Sequence, residues 1–149
     1  MLRLYLDTCC LNRPFDDQSQ ERVRAETEAI RSILEEVELG RWEMIRSEAV
    51  EVEVRRITDL TRRLEVLKTA RAGTIHVSIR TEHQVRAGVL ARLGFKGFDA
   101  LHIACAESGG ADVLLTTDDA MARRSRRLSH ELSILVTNPA TWLEETAWR

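Results

Sequence analysis

The sequence predicts an α/β protein in which a short parallel sheet is covered on both faces by helices. Short apolar runs alternate along the chain with longer stretches whose apolar residues fall at helical spacing. Two of these runs, residues 2–6 and 112–117, are each followed by an acid, Asp7 and Asp118. Strands separated by helices are joined by right-handed crossovers and therefore run parallel.

The composition indicates one ordinary globular domain over residues 1–149. The hydrophobic fraction is 44%, and no apolar run has the length of a membrane span or of a secretory signal, so we expect a cytoplasmic protein that does not enter a membrane. Three cysteines without CxxC spacing predict buried thiols rather than a disulfide framework or a zinc site. A net charge of −2 argues against binding nucleic acid through overall charge, but it leaves room for local basic patches.

The first third of the chain contains two strands and one long helix in this prediction. Residues 2–6 form the opening strand, and residues 8–17, with a proline and paired aspartates, form a loop. Apolar residues recur at helical spacing over 21–39, and a glycine follows them. A second short strand over 42–46 leads to Ser47, a suitable N-cap for the next segment.

Residues 48–57 match two patterns. Valines alternate with glutamates as they would on a half-buried strand, yet the same apolar residues also form one helical stripe. On a strand, Glu53 shares the polar face with Glu51. On a helix, Glu53 falls inside the apolar stripe and Glu51 points away.

The remaining elements follow from the same signals. A capping box, Thr81 to Gln84, begins one of the helices, and Pro139 stands in the first turn of the last. We predict helices over 58–72, 81–93, 98–107 and 119–128, strands over 74–79, 112–117 and 132–137, and a terminal helix from Pro139.

Four acids are candidates for a shared site. Asp7 and Asp118 follow strands whose carboxyl ends meet at one edge of a parallel sheet, Asp99 stands in the first turn of a helix, and Glu53 faces inward if its segment is helical. Carboxylates held together repel one another unless a hard cation such as Mg²⁺ or Mn²⁺ neutralises them. Such a centre can polarise a phosphodiester and activate a water molecule.

Each acid also has a purely structural explanation. Asp7 can cap the turn that follows it, Asp118 can N-cap the next helix, Asp99 can N-cap its own helix, and Glu53 can be a solvated residue. Residue types and spacing alone leave both interpretations open.

Three motifs in this order resemble those of PIN domains. The segment YLDTCCLNRPF (5–15) is similar to the opening motif, FDALHIA (98–104) to the helix of the third acid, and LLTTD (114–118) to the strand end of the fourth acid. The resemblance covers essentially the whole chain.

The resemblance implies a three-layer α/β/α sandwich and metal-dependent RNA cleavage with Mg²⁺ or Mn²⁺, as in VapC-type toxins. Asp7, Asp99 and Asp118 match the metal-site acids, and Thr116 matches the hydroxyl that assists them. The second acid of the family lies in a helix that follows a serine at the end of strand two. Glu53 fits that place, and Glu51 is the fallback.

The implied partners are an RNA substrate, an antitoxin protein and a second copy of the chain. The alternative function is an inactive PIN-like module that binds RNA or a protein without cutting. A phosphohydrolase with a HAD-like fold fits poorly, since it expects a second aspartate where this chain has Cys9.

Four further features stay outside the predicted set of site residues. Asn12 matches a polar position beside the acids but can simply shape its turn, and Asp119 competes weakly with Asp118. A lone histidine on an alanine-rich helix, His102, is more typical of a packed core residue. A cluster of arginines after Asp118 fits an RNA contact as well as it fits a solvated face or a patch for an acidic partner: Arg123, Arg124, Arg126 and Arg127.

Overall fold

A computed structural model of the chain describes residues 1–147, so the last two residues of the predicted domain span lie outside it. The residues described form five strands, all in one parallel sheet: β1 (Arg3–Leu6), β2 (Glu43–Ser47), β3 (Ile75–Val77), β4 (Val113–Leu115) and β5 (Leu135–Thr137).

Eight α-helices flank this sheet in the part of the chain that the structure describes, which gives the expected α/β/α sandwich. They are α1 (Thr8–Asn12), α2 (Glu21–Glu38), α3 (Glu48–Val54), α4 (Leu60–Ala70), α5 (Thr81–Arg92), α6 (Gly97–Ser108), α7 (Asp119–Arg127) and α8 (Pro139–Ala147). None of the helices within residues 1–147 is both long enough and apolar enough to cross a membrane.

The strand order β3-β2-β1-β4-β5 places β1 at the centre of the sheet. Tyr5 pairs with Ile45 of β2 on one side and with Leu114 of β4 on the other. The chain builds the sheet outward first on one side of β1 and then on the other, so the order reverses between β1 and β4. Crevices at the carboxyl ends of strands at such a reversal are where open α/β sheets bind ligands.

The core is built around β1. Leu4, Tyr5 and Leu6 are almost fully buried, as expected of a central parallel strand that has helices on both faces. At the opposite side of the molecule, Trp42 before β2 and Trp142 of α8 pack edge to face with ring centroids 5.3 Å apart.

The predicted loop over 8–17 is wrong in its first half. Residues Thr8–Asn12 form α1 and Arg13–Phe15 form a 3-10 turn. The helix forms because Asp7 caps it and because Cys10 and Leu11 point into the core. The sequence predicted a loop because the segment contains several turn-forming residues and because a single helical turn is too short to show a helical period.

One predicted helix cap is wrong, and the capping alternative for Asp99 is excluded. Arg80, rather than Thr81, is the N-cap of α5, and its amide donates to His83 Nδ1 at 2.9 Å. Lys96 is the N-cap of α6, so Asp99 lies inside the first turn and does not cap the helix. The carboxylate of Asp99 therefore does not cap the start of α6.

Candidate active site

Asp7 stands where the central strand leaves the sheet. Its amide donates to the Leu115 carbonyl of β4 at 3.2 Å, and its carboxylate accepts from the Cys10 amide of α1 at 3.0 Å. The residue is only 2% exposed. The carboxylate is therefore fixed at the junction of two strands and a helix N-terminus.

The neighbouring strand β4 brings a hydroxyl and a second acid to the same edge. Thr116 is buried, and its Oγ1 accepts from the Asp118 amide at 3.1 Å. Asp118 in turn caps α7 by accepting from the Met121 amide at 3.1 Å. Asp7 and Asp118 thus each cap a helix through one carboxylate oxygen. The second carboxylate oxygen of each acid accepts no capping hydrogen bond.

The ambiguous segment 48–57 is a helix over Glu48–Val54. Ser47 caps it, since its Oγ accepts from the Val50 amide at 3.1 Å. Glu53 therefore lies on the inward stripe, one helical turn from buried Ala49 and Val50. The alternative acid, Glu51, faces β3 and bonds His76 Nε2 at 3.0 Å.

Asp99 lies in the first turn of α6 with its carboxylate only partly exposed. Burial raises its pKa to about 6, and the negative charges of Asp118 and Asp7 add to that rise. Neighbouring charges shift the pKa of a carboxyl only when they are close to it. Asp99 thus faces the two strand ends across the crevice.

Cys9 of α1 lies among all four acids. Its pKa is raised first by burial and then by four negative charges, those of Asp7, Glu53, Asp118 and Asp99. Cys9 is exposed, contrary to the expectation of buried thiols, because it lies on the open side of α1; Cys10 and Cys105 are buried as predicted. The four candidate acids therefore all lie near Cys9 in the first turn of α1.

Asp7 has the most buried carboxylate of the four. Burial raises its pKa, whereas the nearby imidazole of His102, the Thr116 hydroxyl and the Cys10 amide act to lower it. Thr116 thus touches both strand-end acids, since it bonds the Asp118 amide and stabilises the charge of Asp7.

A buried chain of hydrogen bonds ends on Glu53. The Tyr5 hydroxyl lies 2.7 Å from Ser47 Oγ and 2.6 Å from His102 Nδ1, and His102 Nε2 lies 2.8 Å from Glu53 Oε1. Tyr5, Ser47 and His102 are each at most 2% exposed. This chain connects the centre of the sheet with the rim of the crevice.

The donors along the chain can be assigned in one direction. An ionised carboxylate only accepts, so His102 donates from Nε2 to Glu53; when Nδ1 carries no proton, it accepts from the Tyr5 hydroxyl. Tyr5 then accepts from the Ser47 hydroxyl, which itself accepts from the Val50 amide. The hydrogen bonds thereby orient the Nε2 donor of His102 towards Glu53.

Glu53 is kept ionised by its surroundings. Burial acts to raise its pKa, but the hydrogen bond from His102, the approach of the Thr8 hydroxyl and the charge of Arg56 outweigh it and lower the pKa. Thr8 is 6% exposed and its Oγ1 has no aligned hydrogen-bond partner among the residues described. A buried hydroxyl without a partner is open to an oxygen atom or a water molecule from outside the chain.

The acids suit a hard cation in their chemistry, although they do not form a closed cage. Within residues 1–147, no three histidine, cysteine or acidic side chains lie close enough to hold an ion by themselves. Mg²⁺ keeps several waters and is commonly bound by one or two carboxylates together with substrate phosphates. The four acids supply oxygen donors for such an ion. The negative charges of the other three acids add to the rise in the pKa of Asp99, and a bound cation would relieve that repulsion.

Three residues that the sequence prediction left outside the site make defined contacts in the structure. His102, set aside as a packed histidine, is buried but bonds the candidate acid Glu53. Asp119 is held by Arg22 through two hydrogen bonds of 2.7 and 2.8 Å. Asn12 donates to the Thr8 carbonyl at 3.1 Å and accepts from Arg62 Nε at 3.0 Å.

Known proteins resemble this chain in fold and in sequence pattern. A solved structure of VapBC2 from Rickettsia felis, bound to a DNA fragment from its promoter, contains a chain that is 14% identical in sequence, with a TM-score of 0.59. The similarity covers 92% of this chain and 98% of the other and shows a common fold. No curated protein sequence matches the chain.

The sequence model for the PIN domain matches residues 4–127, which contain all four candidate acids. PIN domains are generally nucleases and generally use divalent metal ions. The match covers most of the chain, and the chain belongs to the PIN domain family.

Proposed function

We propose that this chain is a metal-dependent ribonuclease that hydrolyses RNA phosphodiester bonds at the crevice between β1 and β4. The observation that supports the proposal is the grouping of four carboxylates around the first turn of α1, each of which raises the pKa of Cys9: Asp7, Glu53, Asp99 and Asp118. Burial and neighbouring negative charges raise the pKa of Asp7 and Asp99 at the ligand-binding edge of the sheet, and acids perturbed in this way favour a functional role.

The four acids would hold Mg²⁺ or Mn²⁺. Such an ion supplies positive charge to a phosphodiester during hydrolysis. The chain's own contribution is to fix the carboxylates: the Cys10 amide holds Asp7, the Met121 amide holds Asp118, and His102 holds Glu53. Thr116 orients the two strand-end acids relative to each other.

We also propose that the protein is the toxin of a toxin–antitoxin pair and has an antitoxin protein as its partner. The support is the similarity in fold to a chain of a VapBC2 complex. Purification from cells that express the chain together with its genomic neighbours would test this, and a protein that purifies only without a partner would contradict it.

The nuclease proposal is tested by RNA cleavage with added Mn²⁺. We expect the unmodified protein to cut, and we expect Asp7→Asn, Asp99→Asn and added EDTA each to abolish cleavage. Asn at position 7 can still cap α1, so loss of activity there reports the charge rather than the cap. Cleavage that persists in both variants and in EDTA would contradict the proposal.

The alternative is a PIN-like module that binds RNA or a protein and does not cut. The absence of a closed three-ligand group among residues 1–147 favours it. Titration with Mn²⁺ separates the two functions. Saturable binding that is lost in Asp99→Asn supports the nuclease, whereas RNA binding without any Mn²⁺ binding supports the module.

A further inference from the structure

An arginine-lined cavity opens beside the four acids. It has a volume of about 460 Å³ and extends from Thr8 and Glu53, at the acid cluster, to the side chains of Arg13, Arg56 and Arg62. Three guanidinium groups face two carboxylates, those of Glu53 and Asp16, along its walls. Arg13 is already paired with Asp16 and Glu26, so the donors that remain for a ligand are those of Arg56 and Arg62.

Arg62 is held in place with part of its guanidinium free. Its Nε and Nη2 donate to Asn12 at 3.0 and 3.1 Å, and Nη2 also pairs with Asp16. Its Nη1 makes no hydrogen bond within residues 1–147. A guanidinium fixed on one edge loses little rotational freedom when its other edge binds an anion.

Arg56 offers more open donors. Its guanidinium lies 4.8 Å from the centre of the Phe98 ring, and no hydrogen bond fixes it among the residues described. It is also close enough to Glu53 to lower the pKa of that carboxyl. Arg56 therefore stands between the cavity and the acid cluster.

The cavity wall also carries a hydroxyl group. Thr8 lines the cavity and is 6% exposed, and its hydroxyl approaches Glu53 without an aligned hydrogen bond in the described chain. Phosphate oxygens are acceptors for a hydroxyl and for guanidinium groups alike.

We propose that this cavity binds the phosphate of the RNA strand adjacent to the bond that is cut, with Arg56 and Arg62 as its main contacts. The inference rests on the proposed ribonuclease function and extends it to the substrate subsite. We expect a single-stranded RNA, because the cavity has the size of a single nucleotide. A nucleotide of an unpaired strand can also leave its stack without breaking base pairs. The strand would run from the acids past Arg56 to Arg62.

The test measures RNA binding apart from cleavage. Asp99→Asn is the parent protein, so that a fluorescein-labelled oligouridylate stays intact in magnesium buffer. Arg56→Gln and Arg62→Gln are each added to it. The matched control is Arg55→Gln, which removes an exposed arginine that neighbours Arg56 but does not line the cavity.

We expect Arg56→Gln and Arg62→Gln each to weaken binding about tenfold and Arg55→Gln less than about twofold. The slope of log affinity against log salt should fall by roughly 0.7 for each cavity arginine removed. Competition with inorganic phosphate distinguishes a strand site from a site for the free ion: the proposal predicts that phosphate competes only weakly.

Equal losses in Arg55→Gln and Arg56→Gln would overturn the subsite, because binding would then follow total charge. We expect Arg56→Gln to fold as the parent protein does, since the Arg56 guanidinium forms no hydrogen bond within the described residues. A protein that never cuts RNA but binds it through Arg56 contradicts the ribonuclease and not the subsite. Cleavage with a KM unaffected by both cavity variants contradicts the subsite alone.

Discussion

Folding favours the neutral, protonated form of the Asp99 carboxyl. Its pKa in the folded protein is about 6, above the ordinary 3.8, because the carboxyl is partly buried and faces Asp118 and Asp7. Between these two values the folded protein binds more protons than the unfolded chain. The free energy of unfolding therefore falls as the pH rises through this window, and the full penalty is present above it.

We predict that Asp99→Asn stabilises the metal-free protein by about 1 kcal/mol near neutral pH, a figure reduced because the carboxyl is partly solvated. Near pH 4 the two proteins should have similar stability. Urea denaturation in EDTA at both values measures this. A variant that is less stable than the parent at neutral pH would show that the carboxylate is a structural contact rather than a strained functional group.

His102 is expected to act through Glu53 as a positioning residue. His102→Gln can keep a donor near the place of Nε2, whereas His102→Asn keeps a polar atom near Nδ1 and leaves Glu53 without its donor. We predict that the Asn variant binds Mn²⁺ about 10- to 100-fold more weakly and that the Gln variant recovers much of that loss. Electron paramagnetic resonance of free Mn²⁺ gives the affinities.

The tautomer gives a second, activity-independent readout for the same residue. Long-range nitrogen–proton spectra of the histidine rings should show His102 protonated on Nε2 and bare on Nδ1. The opposite tautomer, or equal Mn²⁺ affinity in all three proteins, would contradict a positioning role.

The identity of single site residues could be predicted only where a pattern marks them. Asp7 and Asp118 each follow an apolar run, and Asp99 lies in a recognisable motif, so the sequence identifies them as candidates. His102 has no such mark. Its partners Tyr5 and Glu53 are 97 and 49 positions away in the chain, so only the folded structure reveals the contact.

At the scale of elements, helix capping decided what periodicity could not. Segment 48–57 matches both helix and strand, and the hydrogen bond from the Val50 amide to Ser47 Oγ marks the start of a helix there. Long periodic segments such as α2 and α5 were predicted within a few residues of their bounds. The five residues of α1 are too few to show a period, which is why the sequence indicated a loop.

Close approach of the chain to β2 is expected to depend on Gly73. A Cβ added there would lie 2.9 Å from both Arg46 N and Met44 O, which are backbone atoms of β2. We predict that Gly73→Ala lowers the free energy of unfolding by about 1–3 kcal/mol. Since β2 ends at the Ser47 cap of α3, the variant should also weaken Mn²⁺ binding.

The matched control is Gly88→Ala in α5, where an added Cβ meets nothing within 4 Å. A helix-interior glycine with free space should gain about 0.5–1 kcal/mol from the change. Urea denaturation of both variants gives the two values. Shifts of the same sign would contradict the assignment of a tight contact to Gly73 alone.

At the scale of the whole molecule, sheet order brings the site together. Alternating strands and helices predict a parallel sheet with its strand ends on one edge, but they do not determine which strands are neighbours. The observed order places β4 beside β1, so Asp118 reaches Asp7, while β2 on the other side delivers Glu53 through α3. That order depends on contacts between distant segments, which local sequence patterns do not encode.

Charge is also divided across the molecule. The net charge of −2 combines an acidic crevice with basic regions on two sides, the arginine-lined cavity and the exposed arginines of α7. A polyanionic strand can therefore be attracted by flanking arginines while its scissile bond lies at the acids.

Substitution of two adjacent aspartates separates a catalytic acid cluster from a general effect of charge at this strand end. The charge of Asp118 acts on Asp99 in the acid cluster, whereas Asp119 is paired with Arg22. Asn at position 118 can still cap α7, so Asp118→Asn removes the charge and keeps the cap. In Mn²⁺ we predict that Asp118→Asn cuts RNA at least about 100-fold more slowly than the unmodified protein and that Asp119→Asn cuts at a similar rate to it. Undiminished cleavage by Asp118→Asn, or equal losses in both variants, would contradict a catalytic acid cluster at this edge of the sheet.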